Sequence, residues 1–302
     1  MLVKKFTQFI LQSNRHAIFV AILCGVLPLL GWVSAVIVAL VTLCKSVTDG
    51  FIVLLWASLP YVVIASVNRS GWLLVHAILF GSLFVWLLAI LLRRSANFVL
   101  TVESAVVVGV VAVLIFHGVV SDPHVWWTKY IVDNASKLTS VAHVNLDMGW
   151  VKRTAQLVAP YMTGIQSVII VFGVILQIII ARSLQANLFD AWLWLREWRV
   201  FRLNQSMVVL LALFSILFWI RPALFRDLLP VLVLPLLFAG VSLVHTCMAM
   251  VKLSSAIVWL FYLLIIVILL AMPMLLGVLM IIAIMDSFLD FRTKILRYID
   301  RS

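Results

Sequence analysis

The chain has 302 residues, of which 66% are hydrophobic and 11% are charged, and its formal net charge is +11. A soluble domain is about half apolar and about a quarter charged, so the composition excludes an ordinary soluble globular protein. The positive charge does not indicate nucleic-acid binding, because the basic residues lie mostly at the ends of apolar runs, where anionic lipid and the positive-inside rule account for them.

Uncharged runs of about 20 residues predict an all-α polytopic integral membrane protein built as a bundle of about eight hydrophobic runs. The basic start of the chain lacks a small-residue cleavage site, so we expect an uncleaved first span with a cytoplasmic N-terminus. In chain order, the runs are Ala17–Cys44, Phe51–Ser66, Trp72–Leu92, Phe98–Val120, Val158–Ala181, Ser206–Ile220, Leu228–Val251 and Ser254–Met285.

The first and last runs are too long for simple spans, and each contains a proline followed by a glycine: Pro28 with Gly31, and Pro273 with Gly277. A proline removes a helix hydrogen bond, so each run either turns back as a short hairpin or crosses as one kinked, tilted helix. If both turn back, the larger share of the Lys and Arg residues lies on the cytoplasmic side, together with both termini. The positive-inside rule therefore favours broken runs in a bacterial inner-membrane protein.

Two segments are expected to lie on the membrane surface of this single membrane domain, residues 1–302. Residues 121–156 carry aromatic and polar side chains and predict an amphipathic loop that caps the outer face. Residues 183–204 contain a helical apolar stripe with charged residues beside it, which predicts a cytoplasmic interfacial helix.

Ionisable side chains inside apolar runs are the candidate contacts for a ligand or a proton, because each is costly to hold there. Glu103 lies five residues into its run, and the favoured topology places His76 and His117 near the outer face. His245 lies near the inner end of its run. The alternatives are a helix-start carboxylate for Glu103 and a hydrogen bond to a neighbouring carbonyl for each histidine.

The last run ends in a motif in which Asp286, Asp290 and Arg292 close the helix. Because the two carboxylates are four residues apart, they share one face, and we expect them to fasten the helix end by pairing with arginines. Nucleotide-binding, nucleophile and zinc motifs are missing from the sequence, so we expect no enzyme activity, no cofactor and no metal site. Cys24, Cys44 and Cys247 have no metal-like spacing and read as buried apolar residues.

Several segments together resemble the YybS-like family of predicted bacterial membrane proteins, a family of unknown function. The most specific is the last, a proline-broken run that ends in Asp, an aromatic residue and Arg. The resemblance implies a helical membrane bundle distantly similar to the substrate-binding subunits of energy-coupling-factor transporters, which dock on a separate energising module. The segments are Leu27–Trp32, Ser58–Gly71, Leu91–Ala96, Arg196–Ser206, Phe238–His245 and Met272–Arg292.

The expected function is that of a small-molecule-binding or transport-related membrane subunit without its own ATPase. Its partners would be the lipid bilayer, an unknown small ligand and an energising membrane protein. The site would lie near the Pro28–Gly31 break, with the outer loop as a lid, because a broken helix exposes backbone groups that need partners. The alternative is a non-catalytic assembly, cell-envelope or scaffold factor.

Overall fold

A computed structural model describes residues 2–27, 30–67, 81–142, 147–189, 197–198, 201–203, 205–251, 253–271 and 275–292. No strand occurs in these residues, and the all-α prediction is confirmed for them. The helices are α1 Leu2–Gln12, α2 Asn14–Val26, α3 Gly31–Cys44, α4 Val47–Val67, α5 Phe84–Ser95, α6 Phe98–Val119, α7 Pro123–Ala142, α8 Met148–Phe189, α9 Gln205–Ser215, α10 Leu217–Ile220, α11 Pro222–Leu232, α12 Leu234–Met250, α13 Ser255–Ala271 and α14 Leu276–Leu289.

Four of the described helical segments are long and apolar enough to cross a membrane: α4, α6, α8 and Pro222–Met250, which comprises α11 and α12. The pair α1 and α2 would make a fifth, but the pair is bent by 117°. Three more helical segments are apolar but shorter: α3, α14 and most of α13. The prediction of a bundle of apolar helices is therefore confirmed, whereas the expected number of about eight runs is not.

The chain forms two compact units, each assembled from separate parts of the sequence. Unit 1 comprises Met1–Ala105, Phe172–Leu203 and Leu236–Ser302. Unit 2 comprises Val106–Val171 and Asn204–Pro235. Within unit 1, helices α2 to α5 and the part of α12 that belongs to this unit hold most of the buried apolar side chains.

In unit 1, α2 lies alongside α4 and runs in the same direction. At the start of both helices, the Asn14 side chain donates a hydrogen bond to the Asp49 carboxylate. Eleven residues further on, Gly25 packs so closely that a Cβ on it would lie 3.2 Å from Pro60 Cγ. The order of these contacts is the same along both helices, so α2 and α4 are parallel.

The next helix, α3, runs in the opposite direction along α4. Its first residue, Gly31, packs on the Tyr61 hydroxyl, and Thr42, near its end, packs on Gly50. Because α2 and α3 also pack on each other, they form a helical hairpin. The first run contains two helices, since α2 ends at Val26 and α3 begins at Gly31, and Pro28 lies outside the described residues. Arms of 13 and 14 residues are about 20 Å long, shorter than a hydrocarbon core of about 30 Å.

Polar side chains form hydrogen bonds at the end of this hairpin that lies opposite its turn, which we call its open end. Lys45 Nζ donates to Asn14 Oδ1 at 2.9 Å, which joins the two arms. The last carbonyls of α3 have no partner within their own helix. Arg93 donates to the carbonyls of Thr42 and Leu43, at 2.6 and 3.2 Å. Asn14, Lys45 and Arg93 therefore lie at one end, as a run that turns back requires.

The last apolar run is also divided into two helices. Helix α13 ends at Ala271 and α14 begins at Leu276, with Pro273 outside the described residues. Gly277 stands at the start of α14, and a Cβ on it would meet no atom within 4 Å. The two proline-broken runs therefore differ, because Gly31 is closely packed and Gly277 is not.

The segment predicted as an interfacial helix, residues 183–204, does not begin as a separate helix. Helix α8 continues without interruption to Phe189, and its 42 residues are about 63 Å long. No proline or glycine stands between Ala181 and Phe189, so nothing in the sequence ends the helix there. The described residues 201–203 are not helical.

The predicted outer loop, residues 121–156, is largely helical. Helix α7 occupies Pro123–Ala142, and α8 begins at Met148 inside the same segment. The Asp122 carboxylate accepts from the backbone N–H groups of His124 and Val125, at 3.0 and 3.1 Å, and so caps the start of α7.

Candidate functional site

A buried carboxylate and a histidine meet in unit 2. His117, near the end of α6, places Nε2 2.8 Å from the Asp227 Oδ2 atom on α11. The Asp227 side chain is 1% exposed and the His117 side chain is 17% exposed. The exposed part of the pair therefore belongs to His117.

A backbone donor from a third helix completes the surroundings of the Asp227 carboxylate. Gly164, within α8, donates its backbone N–H to Asp227 Oδ1 at 3.0 Å. A Cβ at position 164 would lie 2.8 Å from the Asp227 carbonyl oxygen, so only glycine lets α11 approach α8 this closely. Each carboxylate oxygen of Asp227 thus faces a nitrogen.

A second contact joins the same two helices beside the acid. The Arg226 guanidinium lies over the Tyr161 ring, 5.1 Å from its centroid. Tyr161 and Gly164 are three residues apart and share one face of α8, while Arg226 and Asp227 are neighbours in the chain. A cation over an aromatic face is attractive, so this contact helps to hold Asp227 at Gly164.

Helix α7 packs against α6 and α8 through an aromatic cluster. The Trp127 indole N–H donates to Thr163 Oγ1 at 2.9 Å, one residue before Gly164. Phe116, the residue before His117, contacts Trp126 edge-on at 5.3 Å between ring centroids. Tyr130 stacks on Trp126 at the same separation. The amphipathic segment predicted as an outer cap therefore adjoins the His117–Asp227 pair.

This arrangement suits a proton or a small polar group. Histidine is the side chain whose charge changes within the physiological pH range, and a neighbouring carboxylate can accept its N–H or pair with its cation. Asp227 is held by Gly164 whichever form His117 takes. Among the described residues there is no group of three His, Cys, Asp or Glu side chains that could hold a metal ion.

The other predicted contact residues are not brought together with His117 by any described contact. His245 belongs to unit 1, where its Nδ1 lies 3.1 Å from the Tyr262 hydroxyl. Glu103 is half-buried near the start of α6 and also belongs to unit 1. His76 lies outside the described residues.

The C-terminal motif forms a second buried ion pair, in unit 1. Arg292 Nε donates to Asp286 Oδ2 at 3.0 Å, and Arg292 Nη2 donates to the Phe201 carbonyl at 2.8 Å. Arg292 Nη1 lies 3.4 Å from Ser242 Oγ. Asp290 adopts a left-handed conformation with φ of 51°, which turns the chain so that Arg292 returns to Asp286. Burial lowers the pKa of the Arg292 guanidinium, while the Asp286 carboxylate opposes that shift.

The two acids of the motif bind different arginines. Asp290 Oδ1 lies 3.3 Å from Arg202 Nη1, and Arg202 Nη2 donates to the Ser287 carbonyl at 2.7 Å. These bonds fasten the end of α14 to residues 201–203. The motif therefore has the features of a structural clasp rather than of a ligand site.

Three residues of this site were not predicted from the sequence: Asp227, Gly164 and Arg226. Asp227 lies between two apolar runs, beside Arg226, where an acid reads as an ordinary boundary residue. One signal was available: the favoured topology places His117 and the start of the Leu228 run at the same outer face. An acid and a histidine can carry charges of opposite sign. When both lie at the same depth in the membrane, they are candidates for an ion pair.

Comparisons with known proteins give no relative for this chain: no protein-family model, no curated protein and no solved structure matches it. The resemblance to YybS-like membrane proteins therefore stays a prediction, and the candidate site is assigned from its geometry alone.

Proposed function

We propose that this chain is a polytopic membrane protein that binds a small polar molecule, as a transport-related subunit without its own ATPase. The single observation that supports this most is the His117–Asp227 pair, an ionisable pair on two helical segments that are long and apolar enough to span a bilayer. We place the protein in the cytoplasmic membrane of a bacterium, with both termini in the cytoplasm.

The cost of burying Asp227 supports a functional role for the pair. Ionisable side chains in membrane segments are expensive, and those that occur face a bundle interior and mark substrate or proton pathways. Asp227 is buried and accepts the Gly164 N–H beside His117 Nε2, whereas His117 keeps an exposed edge. In this proposal His117 contacts the polar group of the ligand, or carries the proton that moves with it, and Asp227 orients the ring.

The aromatic cluster on α7 supports a cover over this site. Trp127 is buried and bonded to Thr163, so α7 packs down on α8 beside Gly164. A ligand that reaches His117 would be shielded from water when α7 is in this position. The sequence shows no nucleotide-binding loop, so energy for movement would come from an ion gradient or from a partner protein.

A thermal-stability screen tests the proposal. The purified protein is heated in detergent with and without each member of a panel of polar metabolites, because a ligand that binds the native state raises the melting temperature. We expect at least one compound to stabilise the native protein and to lose most of its effect in His117→Ala and Asp227→Asn. His245→Asn is the matched control, since His245 is also a half-buried, bonded histidine, but in unit 1.

An equal shift in all four proteins would contradict a site at His117. No shift with any compound, together with a defined protein that co-purifies, would support the alternative of an assembly or scaffold factor.

A further inference from the structure

We propose that α1 is an in-plane anchor that binds the anionic lipid surface at the open end of the α2–α3 hairpin. The inference takes the chain to be embedded in a membrane, as proposed above. It does not depend on what the His117 site binds.

The orientation of α1 is the first observation. Helix α1 is bent by 117° from α2, and α2 runs parallel to α4, a helix long enough to span a bilayer. If α4 crosses the membrane and α2 follows it, α1 lies closer to the membrane plane than to the membrane normal. His16 Nδ1 lies 3.2 Å from the Phe9 carbonyl oxygen, and the two rings stack at 4.4 Å between centroids, so a backbone contact as well as a ring contact holds this bend.

The distribution of apolar side chains around α1 is the second observation. Thr7 and Ile10 are buried against the rest of unit 1, at 1% and 2% exposure. Val3, Phe6 and Phe9 recur every three residues and are exposed by 56%, 50% and 41%. Residues three apart share one helix face, so α1 has an apolar stripe that the described part of the chain leaves uncovered.

The positive charges beside this stripe indicate that anionic lipid covers it. Lys4 and Lys5 are exposed next to it, and Gln8 extends the polar face. Arg15 is also exposed, and Lys45 lies at the same end of the hairpin through its bond to Asn14. A helix with aromatic residues on one face and lysines on the other is the pattern of an interfacial helix on anionic lipid. Helix α1 contains no acidic residue, so its charge is wholly positive, which favours an anionic lipid surface as the occupant.

The side chains on the two faces of α1 have different roles in this proposal. Phe6 and Phe9 would enter the boundary between headgroups and acyl chains, while Lys4 and Lys5 would reach the headgroup phosphates with their long stems. The anchor would hold the open end of the hairpin at a fixed depth, so that arms of about 20 Å stay inserted without crossing.

Spin labels on the full chain test this placement. Phe6→Cys, Phe9→Cys and Gln8→Cys are made in a background where Cys24, Cys44 and Cys247 are alanine, and each is labelled and reconstituted in nanodiscs. We expect the ratio of oxygen to nickel-chelate accessibility to be several-fold higher at positions 6 and 9 than at position 8. A similar ratio at all three positions, or a steady change along α1, would overturn the in-plane placement.

Lipid composition tests the electrostatic part. We expect the labels at positions 6 and 9 to lie deeper in discs that contain phosphatidylglycerol than in discs of phosphatidylcholine alone. Lys4→Gln with Lys5→Gln should remove that difference. Lys129→Gln with Lys137→Gln removes the same charge from exposed positions on α7 and should leave it. Equal depth in both lipids for the unmodified α1 would overturn the anionic preference, while metabolite binding at His117 would be unaffected by either result.

Discussion

Two buried ion pairs, one in each unit, use an aspartate in opposite ways. In unit 1, the Arg292 guanidinium bonds Asp286, the Phe201 carbonyl and Ser242, and both charged side chains are below a tenth exposed. In unit 2, Asp227 is equally buried but its partner His117 keeps an exposed edge. Arginine is always charged and presents its donors in a rigid fork, whereas histidine can gain or lose a proton.

The difference distinguishes a structural ion pair, which holds helices together, from an ion pair that can bind a ligand. A buried charge whose hydrogen bonds are all made within the protein has nothing left to offer a ligand, and its role is to hold elements together. A pair in which the acid is buried and the base keeps an exposed edge has one group that a ligand can contact. The following predictions test whether this distinction is correct.

Removing the acid should cost more stability in unit 1 than in unit 2. Asp286→Ala leaves the buried Arg292 cation without its carboxylate, and such a loss costs about 3 to 5 kcal/mol. Asp227→Asn keeps the shape of the side chain and an acceptor for the Gly164 N–H, so we expect about 1 to 3 kcal/mol. The free energy of unfolding in mixed micelles measures both.

A double variant is the control for this prediction. Arg292→Met added to Asp286→Ala removes the unpaired cation and should recover part of the lost stability. Equal losses for Asp286→Ala and Asp227→Asn would show that both pairs are structural.

A single methyl group at position 164 should disturb the His117 site. In Gly164→Ala the new Cβ would meet the Asp227 backbone, with 2.9 Å to its Cα atom, so α11 must move away from α8. Overpacking of this kind costs about 1 to 3 kcal/mol. Gly173→Ala is the control on the same helix, because a Cβ there meets nothing within 4 Å, and alanine should stabilise the helix by about 0.5 to 1 kcal/mol. Identical melting temperatures for the two variants would contradict the close approach.

The glycines also show what the sequence could and could not predict. Composition and run length were enough to predict an all-α chain, and proline chemistry was enough to place the break before Gly31. Gly164 and Gly173 stand in one apolar run with no local difference between them. Only the packing of α11, which is more than fifty residues away in the chain, makes one of them indispensable.

The residues of the candidate site show the same contrast between local and long-range signals. His117 was found because a histidine inside an apolar run is unusual by itself, and that signal is local. Asp227 was missed because its importance comes from a partner 110 residues away. The segment predicted as an interfacial helix, 183–204, begins as a continuation of α8 for a related reason. In the structure, Arg182 at its start bonds Glu197, and Gln185 reaches the Leu43 carbonyl, so long-range bonds fix the end of α8.

The two proline-broken runs should respond differently to alanine at their glycines. In Gly31→Ala the Cβ would lie 2.7 Å from the Tyr61 hydroxyl, and we expect a loss of about 1 to 2 kcal/mol because the ring must shift. Gly277→Ala meets open space and should be neutral or slightly stabilising. Tyr61→Phe should rescue Gly31→Ala, because it removes the atom that the new methyl group meets. A loss at position 277 as large as at position 31 would mean that both turns are packed alike.

The smallest expected effect concerns the cover at the His117 site. Trp127→Phe keeps an aromatic ring but removes the N–H that donates to Thr163, and a hydrogen bond of this kind is worth about 0.5 to 1.5 kcal/mol. Because α7 is attached to α8 there, the loss should appear first as faster amide hydrogen exchange in α7 rather than as global unfolding. Trp126→Phe is the control, since Trp126 contacts its neighbours through ring packing with Phe116 and Tyr130. If both variants exchange at the native rate, then the bond to Thr163 does not hold α7 down, and the cover must depend on the aromatic cluster alone.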